Sequence, residues 1–163
     1  MQVIDTDTSM AEAPRLQRPA MDSVERAVSQ VGDGWTFLVL REAFFGVRRF
    51  DEFLRNIKAA PNILTSRLKK LVSCGLLDRV QYLERPPRYE YRLTEKGRDL
   101  YPATVLLMRW GDKWLDGGNG APLDLIHKRC GHKTEPVLMC NRCDTPIALA
   151  EIEWRPGPGA DSR

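Results

Sequence analysis

Two helical patterns separated by a very short turn constrain this chain more than any other feature. The first is expected to open at Asp51, a good N-cap, with Phe50, Phe53, Leu54 and Ile57 as its apolar stripe. The turn "KAAP" follows, and Pro61 suits the first position of a second helix within "PNILTSRLKKLVSCGLL". Two helices joined by roughly three or four residues are the helix-turn-helix arrangement.

The second helix has an unusual surface. At about 100° per residue, Leu64, Leu68, Leu71 and Val72 share one side. Opposite them lie Asn62, Ser66, Lys69, Lys70 and Ser73, flanked by Thr65 and Arg67. That face carries no acid, although the chain has 22 acidic against 25 basic residues. Such side chains donate to phosphate oxygens and base edges, and the DNA major groove admits a helix. A solvated helix face is also charged, so the neighbours must decide. Ile63 stands off the core stripe and is expected to pack on the preceding helix rather than to touch a thymine methyl.

Upstream, Ser23 reads as an N-cap, and Val24, Ala27, Val28 and Val31 follow helical spacing until Gly32 and Gly34. "WTFLVLREAFFG" is apolar nearly all round, which marks a central helix, with Gly46 as its C-cap. Downstream the period changes. Tyr89, Tyr91 and Leu93 alternate with Glu90 and Arg92, and "LLDRVQY" is a weaker strand by its residue types. The intervening "LERPPR" is a turn, so a hairpin is expected, with Arg79, Arg85, Arg88 and Arg92 set against Glu84 and Glu90. A basic loop beside a basic helix can straddle groove and backbone. The expected fold is therefore mainly α with a small β-hairpin, a winged helix-turn-helix.

Thr94 then caps "EKGRDLYPATVLLMRWGDKWL", where Leu100, Leu107, Trp110 and Trp114 recur at helical spacing and Pro102 should kink or restart the helix. So apolar a helix predicts a homodimer, although Leu100 could instead face the domain core.

The chain divides into a disordered leader over 1–22, the winged-helix and dimerisation domain over 23–116, a linker over 117–123, a Cys/His tail over 124–155 and a disordered end over 156–163. No internal repeat is evident. At 163 residues and a net charge of +3, the totals suit one domain with an appendage and do not themselves announce nucleic acid. No apolar run approaches the roughly 18 residues of a membrane helix, and no signal peptide is recognisable. A cytoplasmic protein with reduced thiols is expected. No Ser-His-Asp set, carboxylate pair or phosphate loop appears, so an enzyme is not expected.

The tail carries Cys130, His132, Cys140 and Cys143, with His127 nearby. Three thiolates and one imidazole are a standard structural zinc set, and Gly131 permits the turn a knuckle requires. Asp144 stands where zinc ribbons often place glycine. The ligand set expected is Cys130, His132, Cys140 and Cys143, with His132 preferred only narrowly over His127 as the fourth ligand. Unliganded thiols, or a redox pair at Cys140 and Cys143, are the alternatives.

The stretches "VGDGWT", "LREAFFGVRRFDEF", "NILTSRLKKLVSCGLL" and "ERPPRYEYRLTEKG" resemble the HxlR-type winged helix-turn-helix regulators of bacteria, over about Ser23 to Leu115. The resemblance implies a DNA-binding homodimer, with the terminal helices joining the subunits through Val24 and Val28 as well as Leu100, Leu107, Trp110 and Trp114. It implies that Asn62, Thr65, Ser66 and Arg67 read bases, and that Lys69, Lys70, Arg85 and Arg88 meet the DNA backbone. A repressor on a pseudo-palindromic operator is the expected function. Several such proteins sense oxidants through a cysteine at the start of the first helix, where this chain has Ser23. Cys74 is expected to be a packing residue. The other reading is a winged-helix module that meets an acidic protein surface instead of DNA.

Overall fold

The computed structural model describes residues 22–153, 155 and 157–159. The expected leader, apart from Asp22, and most of the expected 156–163 end lie outside the described residues. In chain order the described elements are α1 (Ser23–Val31), α2 (Gly34–Phe44), α3 (Phe50–Ile57) and α4 (Pro61–Ser73). A hairpin of β1 (Leu77–Leu83) and β2 (Arg88–Leu93) follows, then α5 (Glu95–Arg98) and α6 (Tyr101–Trp114). The tail holds a smaller hairpin, β3 (Ile126–His127) and β4 (His132–Lys133).

The helix ends show where local chemistry differs from the sequence reading. Asp22, not Ser23, caps α1: its carboxylate accepts from Glu25 N at 2.9 Å, and the Glu25 carboxylate accepts from Asp22 N at 3.0 Å. This is a capping box, and it moves Ser23 into the helix. Likewise Asp51 lies within the first turn of α3, and Arg49 holds the cap position because the Glu52 carboxylate accepts from Arg49 N at 3.1 Å. Pro61 does start α4. The turn between α3 and α4 is closed by Lys58 in a left-handed conformation, φ 55°, with Ala59 buried beside it.

The core forms where α2, α3, α4 and the start of β1 meet. Leu40, Phe53, Leu64, Leu68, Leu71, Leu76 and Leu77 are buried there. Three of these lie on α4, so its apolar stripe is spent on the domain and its opposite face turns outward. Ile63 packs against this core as expected from its position. One buried carboxylate fixes α2 to α3. Glu42 accepts from Arg41 Nε at 3.0 Å and Nη2 at 2.7 Å, and from Asn56 Nδ2 at 2.8 Å, so its charge is matched and hydrogen-bonded.

The wing pairs antiparallel from Leu77↔Leu93 to Leu83↔Arg88, with an irregularity between Gln81 and Leu83. The segment before α3 adds a bridge to its edge: Arg49 pairs with Glu90, and Tyr91 N donates to Arg48 O at 2.8 Å. After β2 the expected long helix is two helices. Pro102 lies in the first turn of α6, and the chain restarts there rather than bending. Gly97 lets α5 settle on the turn between α4 and β1: a Cβ at this position would lie 2.2 Å from the Leu76 carbonyl oxygen.

Two apolar faces find no cover among the described residues. Val24 and Val28 on α1 are exposed, and so are Leu107, Trp110 and Trp114 on α6, the tryptophans at 54% and 63%. Leu100, grouped with them by spacing, instead packs against the core, because it sits in the break before α6. No helix among the described residues is long and apolar enough to cross a membrane.

Candidate nucleic-acid interface

Burial of Leu64, Leu68 and Leu71 dictates what α4 presents. Asn62, Thr65, Ser66 and Lys69 are exposed, and Arg67 and Lys70 are half-buried. Among the described residues, Asn62, Ser66 and Lys69 have no side-chain partner. Thr65 donates its hydroxyl back to Pro61 O at 2.7 Å, which leaves its oxygen as an acceptor.

Arg67 is placed differently from what its sequence position suggests. Its Nε lies 2.9 Å from Asp33 Oδ1, and Lys70 Nζ lies 3.8 Å from Asp33 Oδ2. The Arg67 contact is an ion pair by distance but lacks an aligned N–H, since Nε makes no hydrogen bond. Asp33 also caps α2, accepting from Thr36 N at 3.0 Å and Thr36 Oγ1 at 2.5 Å. Burial pushes the Asp33 carboxyl up, but the Thr36 hydrogen bonds and the charges of Arg67 and Lys70 outweigh it and hold the group below its ordinary value. The basic face of α4 therefore has an acid at its margin, contributed by an element distant in sequence.

The wing sorts its arginines by partner. Arg79 stacks over the Tyr89 ring at 3.4 Å, and Arg92 Nε donates to Glu90 at 2.6 Å. Arg85 and Arg88 are exposed at the hairpin's turn, with no ion pair among the described residues. Arg49 was missed by sequence reasoning. It lies over the Tyr82 ring, 5.0 Å from the centroid, and extends the basic surface of the wing. The adjacent pair Arg48 and Arg49 was the available signal.

In the tail, Cys130, His132 and Cys143 are exposed and Cys140 is half-buried. His127 Nδ1 stands 3.3 Å from Cys130 Sγ. Hydrogen bonds from the Thr145 side chain and backbone, and from Cys140, hold the Cys143 thiol below its ordinary value. No group of three or more His, Cys, Asp or Glu among the described residues stands together as a metal site would require.

A helix-turn-helix whose second helix turns a polar, basic face outward beside a hairpin with exposed arginines is the arrangement of a winged-helix regulator of transcription. A family model of HxlR-like helix-turn-helix proteins matches residues 30–119, and the chain belongs to that family. It is 50% identical over 138 residues to Rv3095 of Mycobacterium tuberculosis (strain ATCC 25618 / H37Rv), an uncharacterized HTH-type transcriptional regulator, covering 85% of this chain and 87% of that one. It is also similar to the crystal structure of PA1607, a candidate transcription factor, with TM-score 0.76 and 32% identity over 83% of this chain and 95% of the other. The oxidized redox regulator HypR matches with TM-score 0.53 and 33% identity, covering 55% of this chain and 94% of its own. Family and relatives are regulators carrying a DNA-binding helix-turn-helix.

Proposed function

We propose that the protein is a repressor that binds a pseudo-palindromic operator as a homodimer. The observation that carries this reading is the pairing of one exposed polar face with one exposed basic loop. Asn62, Ser66 and Lys69 face outward on α4, and Arg85 and Arg88 are exposed at the wing tip with no ion pair among the described residues. In this reading α4 lies in the major groove, where Asn62, Thr65, Ser66 and Arg67 meet base edges. Lys69 and Lys70, further along the helix, and Arg85 and Arg88 in the wing meet phosphates. The uncovered faces of α1 and α6 support the dimer, whose symmetry would match two half-sites about one helical turn apart. A dimer lying across a promoter occludes it, which is the physical ground for repression.

The test is a salt titration of binding to operator and to random DNA for the wild type, Arg88→Ala and Ser66→Ala. Arg88→Ala should weaken both DNAs about equally and lower the slope of log K against log salt by about one. Ser66→Ala should cost roughly 1–3 kcal/mol on the operator and little on random DNA. An unchanged salt slope for Arg88→Ala removes the wing from the backbone and favours an acidic protein surface as the partner.

A further inference from the structure

The tail contains a repeat that its residue types conceal and its backbone reveals. Aligning His127 with Cys140 brings two hairpins into the same register. Leu125 O accepts from Thr134 N at 2.8 Å, as Leu138 O accepts from Ile147 N at 2.9 Å. Ile126 pairs with Lys133, as Met139 bridges to Pro146. His127 lies opposite His132, as Cys140 N donates to Thr145 O at 2.9 Å. Each turn closes the same way, Gly131 N to His127 O at 2.8 Å and Asp144 N to Cys140 O at 3.0 Å. Gly131 and Asp144 are both left-handed, with φ 73° and 54°. The aligned side chains include Leu125 with Leu138, Arg129 with Arg142 and Cys130 with Cys143.

Each hairpin is thus a knuckle of the form ligand-x-x-Cys followed by a left-handed residue. The turn brings its two donors to one side. In the first knuckle His127 Nδ1 and Cys130 Sγ are 3.3 Å apart. Tetrahedral zinc with Zn–N near 2.1 Å and Zn–S near 2.3 Å needs its ligands about 3.6 Å apart, so this pair is already close to coordinating separation. In the second knuckle Cys140 holds the register position of His127, and Cys143 Sγ, the counterpart of Cys130 Sγ, lies 3.1 Å from Thr145 Oγ1. His132, the ligand expected from sequence, occupies the position of Thr145, across the strand from the knuckle donor.

We propose that the tail binds one zinc ion per chain through His127 and the thiolates of Cys130, Cys140 and Cys143, with His132 outside the ligand set. Each knuckle contributes two ligands; the two pairs are not gathered into one group in this structure, so binding requires them to close on the ion. The chain from His132 to Met139 connects them with ample reach. Binding releases three thiol protons to solvent, and protein groups fill all four positions, so the role is structural. The connecting stretch is tied to α6: Arg109 Nη1 donates to Pro136 O at 3.1 Å, and its Nη2 lies 3.8 Å from Glu135. A closed zinc unit would therefore brace α6.

The experiment uses the full chain purified without chelator, measuring zinc content, free thiols and the spectrum after cobalt substitution. About one zinc per chain and a tetrahedral cobalt spectrum with thiolate charge transfer are expected. His127→Ala should weaken zinc binding at least as much as the roughly 10–100-fold that loss of an outer partner costs, while His132→Ala stays within about threefold. Retained circular dichroism of the winged-helix domain separates ligand loss from misfolding. Zinc below about a tenth of an equivalent with three reactive tail thiols, one zinc per two chains, or a loss in His132→Ala matching that in His127→Ala would each overturn the assignment. DNA binding is measured on the same samples and does not enter this result.

Discussion

Arg67 on α4 is held 2.9 Å from Asp33, the residue that caps α2. A side chain on the outward face of α4 is thus anchored to the element on which that helix packs. The anchor restricts where the guanidinium can point and lowers the local positive charge.

Asp33→Asn separates these effects. Asparagine still caps the helix, so α2 should persist. With one acid removed beside the basic face and Arg67 released, random DNA should bind several-fold more tightly with a steeper salt dependence. Acid unfolding gives a second readout. The folded Asp33 carboxyl titrates below its unfolded value near about 3.9, so its contribution to stability is complete above that value and is lost as pH falls through the folded one. Urea unfolding across acidic pH should show this loss in the wild type and not in Asp33→Asn.

Leu68 and Lys69 are neighbours with opposite duties. Leu68 is buried at 1% exposure and Lys69 is exposed. Leu68→Ala should destabilise the fold by about 2–5 kcal/mol. Lys69→Ala should leave the unfolding midpoint nearly unchanged but weaken operator and random DNA alike. Denaturant titration and binding on the same two variants check both halves.

Gly97→Ala should destabilise by roughly 1–3 kcal/mol, because the added methyl meets a backbone carbonyl that cannot turn aside. Thermal unfolding reads it directly. An unaltered midpoint would mean that α5 lifts away from Leu76 at little cost.

Trp110 and Trp114 should be covered in the dimer. Burying a tryptophan there is worth roughly 3 kcal/mol, so Trp110→Ala should weaken self-association on the order of 100-fold. Sedimentation across concentration tests this, and a wild type that stays monomeric with both rings exposed would sink the dimer.

Much of this protein was legible before folding. The period-3.6 stripe of Leu64, Leu68 and Leu71, the proline at the start of α4 and the alternation through Tyr89, Tyr91 and Leu93 are local patterns. Local patterns survive because helix and strand geometry dictate which residues share a face. Thr94 caps α5 as expected, but two other N-caps were read one or two residues off. Asp22 and Arg49 hold positions where Ser23 and Asp51 were expected, since a glutamate reaching back from the third position decides the cap. What only the tertiary structure decided are relations between residues that no local pattern links. Asp33 meets Arg67, Arg49 lies over Tyr82, and Leu100 turns into the core. The tail repeat shows the reason most plainly. His127 and Cys140 share no residue type, and neither do Gly131 and Asp144, so sequence comparison sees little. The backbone treats each pair alike because hydrogen-bond register and a left-handed turn depend on φ and ψ, which different side chains can satisfy equally.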